Sequence, residues 1–553
     1  MEAMDLFGIF SAVMDVRRSW EDRPLELARK QADLLQKLQE ATTEEMRQLM
    51  TSGDATAGKA HPPTDFLDVL KAGSQLARRH HAIYQDWLRE LIGGAPGLQE
   101  KQRERMLFWT RQLFTGLSPS NYFWTNFAAV KRFMDSNGES LARGLQSWTD
   151  DLVEGHPLMR MVDSRAFKVG RDIATTPGAV VFRNDLMELI QYEPTTQATY
   201  PVPVVFIQPW INKYYIFDLT PQMSFVRYMR QKGFTVFIIS WKNPDPPMRN
   251  VTFDDYMLRG ALQAIKVASS ICHNAPVHAA GYCIGGTALS ALMAWQNSGP
   301  PSQRQSCPVV DWTLFSSLVD FSEPGDIGFF VTQQSVEVIE AMMTAQGYLS
   351  EKFIELVFRL LGSDSLIWRN YTNSFLYGQS PPKSDLLFWN SDSTRLPVAM
   401  CSFYLRELYL NNKLVEKDAL SLGGRPIDLG RITQPLYAVG TQVDHICPWK
   451  STFKVCDKVR GPVRYVLSSE GHITGIVNPP SDMSRRKFWA GEAGGERDSD
   501  RWLSIREEKR GSWWEDWTQW LQERSLSPGE PPPMGSQWYP VLEKAPGTYV
   551  MEG

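Results

Sequence analysis

The chain has 553 residues, 43% hydrophobic and 22% charged, enough to bury one large core or two. Its net charge of -4 and isoelectric point of about 6.1 argue against a nucleic-acid partner held by phosphate contacts. Six scattered cysteines (Cys272, Cys283, Cys307, Cys401, Cys447, Cys456) include no Cys-x-x-Cys pair, which points to a reducing cytosol and away from a disulfide scaffold or zinc site. No apolar run approaches a membrane span, and the opening Met1-Glu2-Ala3-Met4-Asp5 is acidic where a secretory signal would be basic. The expectation is a soluble cytoplasmic protein.

Residues 1 to about 180 read as a mainly helical N-terminal domain. Leu27, Gln31, Leu34, Leu35 and Leu38 follow helix spacing, with Glu26, Arg29, Lys30 and Asp33 opposite. Residues 51–63 have linker composition, and further helices are expected over 64–93, 99–116 and 121–154. Leu6-Phe7-Gly8-Ile9-Phe10 is an apolar stretch that suits a docking patch and a terminus packed on its neighbours equally well.

From about 180 the period changes. Short apolar runs at 202–207, 234–241, 277–282, 311–319, 435–440 and 463–468 suit strands of a parallel sheet covered on both faces. Helical stretches such as 222–232 and 255–271 separate several of them, the alternation of a doubly wound sheet. The interval from about 322 to 432 is too long for a connection and reads as a helical cap within a catalytic domain of 181–553. Seven tryptophans crowd the C-terminal end, and packing of late helices explains them better than a binding surface.

The candidate chemistry sits at strand ends. In His278-Ala279-Ala280-Gly281-Tyr282-Cys283-Ile284-Gly285-Gly286-Thr287 a strand turns directly into a helix, with glycines two before and two after a cysteine. This is the nucleophile elbow of an α/β-hydrolase, a turn so sharp that Cβ atoms at the flanking positions would collide. The apex lies at a helix N-terminus, which favours a thiolate. After the next-to-last of these strands comes Asp444, and after the last comes His472, so nucleophile, acid and histidine follow in α/β-hydrolase order. His472 would take the thiol proton; Asp444 would hold the imidazole or polarise an incoming hydroxyl. His445 reads as a neighbour held by local hydrogen bonds. The amide of Ile284 supplies one oxyanion donor, and the loop near Trp210-Ile211 should supply the second, with Ile211 the candidate. A cysteine nucleophile suits thioester substrates, because thiolate attack exchanges one thioester for another at little cost and keeps the acyl group activated.

Beyond the elbow, Ser118-Pro119-Ser120-Asn121, Gly178-Ala179-Val180-Val181-Phe182, Ile211-Asn212-Lys213-Tyr214-Tyr215-Ile216-Phe217-Asp218-Leu219, Phe388-Trp389-Asn390-Ser391-Asp392, Asn478-Pro479-Pro480 and Ser512-Trp513-Trp514 form a recurrent set. On these motifs the chain resembles the polyhydroxyalkanoate synthases from roughly Ser118 to the C-terminus; the first hundred residues carry no such motif. The resemblance implies polymerisation of (R)-3-hydroxyacyl-CoA with release of CoA, with Cys283 as nucleophile, Asp444 and His472 completing the triad, and Asp218 structural. The elbow and Tyr404-Leu405-Arg406-Glu407-Leu408-Tyr409-Leu410 look more like the single-subunit, short-chain class, implying 3-hydroxybutyryl-CoA. It further implies no metal or organic cofactor, a homodimer joined through the cap, a growing polyester chain, granule-associated protein partners, and residence at the surface of cytoplasmic polyester granules. A thiol hydrolase of the same fold, cleaving thioesters, is the alternative. Two departures from the family pattern, Gln208-Pro209-Trp210 and the stretch 362–370, lie by the oxyanion loop and in the cap.

Overall fold

The computed structural model describes residues 7, 9–51, 66–156, 159–299, 307–481 and 483–552. All but Thr51 of the expected linker, and Leu6 and Gly8 of the apolar opening, lie outside the described residues. The chain divides into two compact units: Met1–Asp163 with Leu356–Lys383, and Ser164–Glu355 with Ser384–Gly553. The interval expected as a cap thus contributes to both.

The first unit is helical: α1 (Ile9–Glu21), α2 (Pro24–Thr51), α3 (Phe66–Gly93), α4 (Glu100–Gly116), α5 (Phe127–Asp135) and α6 (Glu139–Val153), with helical residues 364–376. α2 buries a narrower strip than its sequence suggests. Leu34 is buried and Leu27 and Leu38 half-buried, but Gln31 and Leu35 face solvent, because α2 packs chiefly on one partner, α3, and needs only a seam. The Trp87 indole fastens that seam by donating to the Lys30 carbonyl at 2.9 Å. The single helix expected over 121–154 is two helices. Asn126 caps α5 by accepting from the Ala129 amide at 3.1 Å. Asn137 (φ 50°) and Gly138 (φ 89°) then adopt left-handed backbone that a right-handed helix cannot continue through.

The second unit is built on an eleven-stranded sheet: β1 (Gly178–Arg183), β2 (Met187–Tyr192), β3 (Tyr200–Ile207), β4 (Phe234–Trp241), β5 (Val277–Tyr282), β6 (Val309–Phe315), β7 (Leu436–Thr441), β8 (Val463–Ser468), β9 (Lys487–Glu492), β10 (Lys509–Arg510) and β11 (Glu543–Lys544). The spatial order is β10-β9-β8-β7-β6-β5-β3-β4-β2-β1-β11. The six strands β4-β3-β5-β6-β7-β8 run parallel and coincide with the six apolar runs of the sequence; antiparallel strands extend both edges. Helices α7 (Phe225–Gln231), α8 (Gln263–Ile271), α9 (Ile284–Ser298) and α10 (Trp514–Gln522) belong to the same unit. This is the α/β-hydrolase fold, as expected. Among the described residues no helix is long and apolar enough to cross a membrane.

β2 is wholly buried yet carries Glu188 and Gln191, which break the apolar pattern by which a buried strand is recognised. Arg183 of β1 donates to Glu188 Oε1 at 2.7 Å, and the C-terminal tail supplies the other partners of both residues. The Thr548 and Tyr549 amides donate to Glu188 Oε2 at 3.1 Å each. Gln191 donates to the Pro533 carbonyl at 2.9 Å and accepts from the Gly535 amide at 2.8 Å.

Trp502, Trp513, Trp514, Trp517 and Trp520 are buried, as core packing requires, whereas Trp538 is 79% exposed. Trp514 stacks on Phe225 of α7 with ring centroids 4.1 Å apart. At the start of β5, remote from the elbow, buried His278 pairs with Asp311 of β6 and meets Ser525 Oγ at 2.9 Å, joining the end of α10 to the sheet. Replacing Trp514 by alanine should cost about 3–5 kcal/mol, the range for large aromatic truncations in a core. The readout is the urea midpoint of near-ultraviolet circular dichroism; an unchanged midpoint would contradict this packing role.

Candidate active site

The parallel strands end in three loops that bring the chemistry together. β5 ends at Tyr282, Cys283 takes φ 52° and ψ -124°, and α9 begins at Ile284. Such backbone is rarely populated by a residue with a Cβ, and it lifts the side chain clear of strand and helix. A Cβ on Gly281 would stand 2.5 Å from Gly286 Cα, and one on Gly285 would stand 2.3 Å from the Ile207 carbonyl oxygen. Both glycines are therefore demanded by close backbone approach.

After β7, Asp444 is buried with all its acceptor capacity engaged. Oδ1 accepts from the Ile446 and Cys447 amides at 2.9 and 2.8 Å, and Oδ2 from the Thr441 hydroxyl at 2.8 Å and His472 Nδ1 at 2.7 Å. After β8, Glu470 (φ 77°) turns the chain and presents His472. The imidazole stacks on Tyr282 with centroids 5.3 Å apart, and the Tyr282 hydroxyl donates to the His472 carbonyl at 3.1 Å. The indoles of Trp513 and Trp514 donate to the Gly475 and Ile476 carbonyls at 2.8 and 2.9 Å, pinning the loop from behind.

With Nδ1 committed to Asp444, the other side of the imidazole faces two sulfurs. Cys283 Sγ, Cys447 Sγ and a His472 ring nitrogen all lie within 4.8 Å of one another. The neighbouring Cys447 thiol has the largest lowering effect on the Cys283 thiol; burial opposes it, and the charge of His472 and the Ile284 amide add to it. Together they push the Cys283 thiol down to about 5. Burial disfavours a charged His472, yet Asp444 and Cys283 outweigh it and raise the imidazole to about 10. Burial likewise opposes the charge on Asp444, but His472, the Cys447 amide and Thr441 hold it below the ordinary carboxylate value. The two shifts run in the direction that favours a thiolate on Cys283 beside an imidazolium on His472. Cys447 is shifted the opposite way, upward, by the neighbouring Cys283 and by burial. Two thiols and an imidazole are also donors of the type that hold zinc.

The structure brings Cys283, Asp444 and His472 together and places the Ile284 amide at the first position of α9, next to the sulfur-bearing residue. Ile211 lies in the loop after β3, whose last residue Ile207 pairs with Gly281; its carbonyl accepts from the Thr394 amide at 3.0 Å. His445 is exposed, and its carbonyl accepts from the Asp326 amide at 2.8 Å. Asp218 is buried and remote from the thiols in role: it accepts from the Ser224 hydroxyl at 2.7 Å and the Thr176 amide at 3.2 Å, holding the turn after β3. Lys213 and Tyr215 of the same motif meet Asp392 at 3.0 and 2.7 Å, so two of the recurrent sequence motifs are halves of one contact.

Sequence reading missed Cys447. Its signal was a second thiol three residues after Asp444, in the same turn. The Phe321 ring packs 6.0 Å from Tyr404 and 5.0 Å from Tyr409, whose hydroxyls are raised chiefly by burial and further by the Cys283 and Cys447 sulfurs.

Fold, elbow and the two following loops define an enzyme of the α/β-hydrolase fold with a cysteine at its elbow. Residues 72–229 match the family model described as the N-terminus of poly-beta-hydroxybutyrate polymerase (PhaC). The chain is 38% identical to the poly(3-hydroxyalkanoate) polymerase of Methylorubrum extorquens over 523 residues, 94% of this chain and 84% of that one. It is 37% identical to the poly(3-hydroxyalkanoate) polymerase subunit PhaC of Rhizobium etli, over 86% of this chain and 74% of that one. The same subunit of Cupriavidus necator is 37% identical, over 81% of this chain and 76% of that one. The chain belongs to the poly(3-hydroxyalkanoate) polymerase family, and is an acyltransferase.

A thiolate is lost as pH falls through its lowered pKa, so alkylation of Cys283 by iodoacetamide should stay fast down to about pH 5, where an ordinary thiol slows below about 8.5. Asp444→Asn should move that midpoint up, because the imidazolium loses its counter-charge. A wild-type midpoint near that of an ordinary thiol would mean that no ion pair forms.

Proposed function

We propose that Cys283, Asp444 and His472 carry out the polymerisation of (R)-3-hydroxyacyl-CoA. The observation that carries this reading is the 2.7 Å bond between Asp444 and His472 Nδ1, with the other face of the ring turned to Cys283. The Cys283 thiolate attacks the thioester carbonyl. The oxyanion meets the Ile284 amide and a second donor from the loop bearing Ile211. CoA leaves with the proton of the His472 imidazolium, and the acyl group stays on sulfur. His472 then takes the proton of the hydroxyl on the next unit or chain end, whose oxygen attacks the acyl-sulfur bond. That step forms an ester, frees the thiolate and restores the imidazolium.

Between the two roles open to Asp444, the full set of contacts on its carboxylate supports holding and charging His472 over receiving a proton. Buried Tyr404 and Tyr409, near the sulfurs and backed by Phe321, support exclusion of water, which would otherwise divert the acyl-enzyme to hydroxyacid. The elbow and the stretch from Tyr404 to Leu410 support a short-chain substrate, 3-hydroxybutyryl-CoA. The family supports a homodimer at the surface of cytoplasmic polyester granules, among granule-associated proteins.

Incubating the purified chain with 3-hydroxybutyryl-CoA should release CoA and deposit insoluble polyester; CoA release with only soluble hydroxyacid would favour the thioesterase reading. Cys283→Ala should lower CoA release by about 10³-fold or more, the scale of losing a nucleophile. Across acyl lengths, four-carbon units should be turned over faster than eight- to ten-carbon units; the reverse order would refute the short-chain assignment.

A further inference from the structure

Five of the six cysteines do not carry the acyl group in the proposed steps, and four of these, Cys272, Cys307, Cys401 and Cys456, are free and buried. Burial pushes the first three up to about 12 and Cys456 higher still, so they are poor nucleophiles. Cys447 differs. Its sulfur lies within 4.8 Å of Cys283 Sγ and of a His472 ring nitrogen. It sits in the turn that Asp444 holds through the Cys447 amide. Cys283 is half-buried, while Cys447 is 4% exposed.

We infer that Cys447 is a resolving thiol for Cys283, and that a hydroperoxide converts the two into a reversible disulfide that blocks acyl transfer. The inference rests on the reading of Cys283 as nucleophile. The Cys283 thiolate attacks the terminal oxygen of the hydroperoxide; the O–O bond breaks, water or an alcohol leaves, and Cys283 becomes a sulfenic acid. The Cys447 thiol, deprotonated as it attacks, displaces hydroxide from that sulfur, which leaves as water. An S–S bond forms, with two thiols oxidised and one peroxide reduced. Closing to the disulfide bond length of about 2.05 Å takes a rotamer change at one or both cysteines. A dithiol reductant reverses it by exchange. Without a second thiol at that distance, the sulfenic acid would go on to sulfinic acid, which such reductants do not restore.

The test treats the full chain with a small excess of hydrogen peroxide, then measures free thiols, linked peptides by mass spectrometry, and CoA release before and after dithiothreitol. In the wild type, free thiols should fall from six to four, a Cys283–Cys447 linked peptide should appear, and dithiothreitol should restore most of the activity. In Cys447→Ala and Cys447→Ser, each normalised to its own untreated rate, dithiothreitol should restore only a minor fraction. Absence of the linked peptide from oxidised wild type, or recovery of both variants as full as that of wild type, would overturn the inference. The linked peptide is read by mass, independent of turnover. Activity of untreated Cys283→Ala tests the nucleophile separately, so the two failures are distinguishable.

Discussion

A buried carboxylate held against a buried imidazole sets the terms for the rest of this active site. Neither charge would survive there alone, since desolvation disfavours both. Asp444 is kept ionised by two amides, a hydroxyl and His472, and His472 is kept protonated by Asp444 on one side and by a sulfur on the other. The Cys283 sulfur is the third member, its thiol lowered by Cys447 and His472 and in turn raising the imidazole. Removing any one member leaves the others shifted toward their neutral, unreactive forms.

Rigid backbone is what holds that set. Cys283 adopts an unusual φ because the strand-to-helix turn is clamped by approaches that only Gly281 and Gly285 allow. His472 is fixed from the opposite side by tryptophans forty residues later in the chain, whose indoles bond to carbonyls of its loop. The tryptophan-rich end of the chain and the C-terminal tail are parts of the catalytic unit: one steadies the histidine loop, the other satisfies the polar residues of β2. The same enclosure that stabilises the ion pair places a second sulfur beside the first.

The parallel heart of the sheet was legible because its strands are continuous apolar runs, and 234–241, 277–282 and 463–468 coincide with strands residue for residue. The antiparallel edges were not, because β2 buries Glu188 and Gln191 and, besides the nearby Arg183, their partners lie about 340–360 residues away, where no local pattern encodes them. The division of 121–154 into two helices turned on two left-handed residues, of which Asn137 gives only a weak local hint. At the site, Cys283, Asp444 and His472 could be read from motif and order, since each follows a strand end. Cys447 could not, because whether its sulfur points at Cys283 depends on how the loop after β7 folds around Asp444.

The claim on which all of this depends is that the acyl group resides on one particular sulfur. Brief incubation of the wild-type chain with 3-hydroxybutyryl-CoA, acid quenching and peptide mass spectrometry measure that directly. The expected result is a hydroxybutyryl adduct, cleaved by hydroxylamine, on the peptide containing Cys283. An adduct found instead on Cys447 or on a hydroxyl side chain, with Cys283 unmodified, would contradict it.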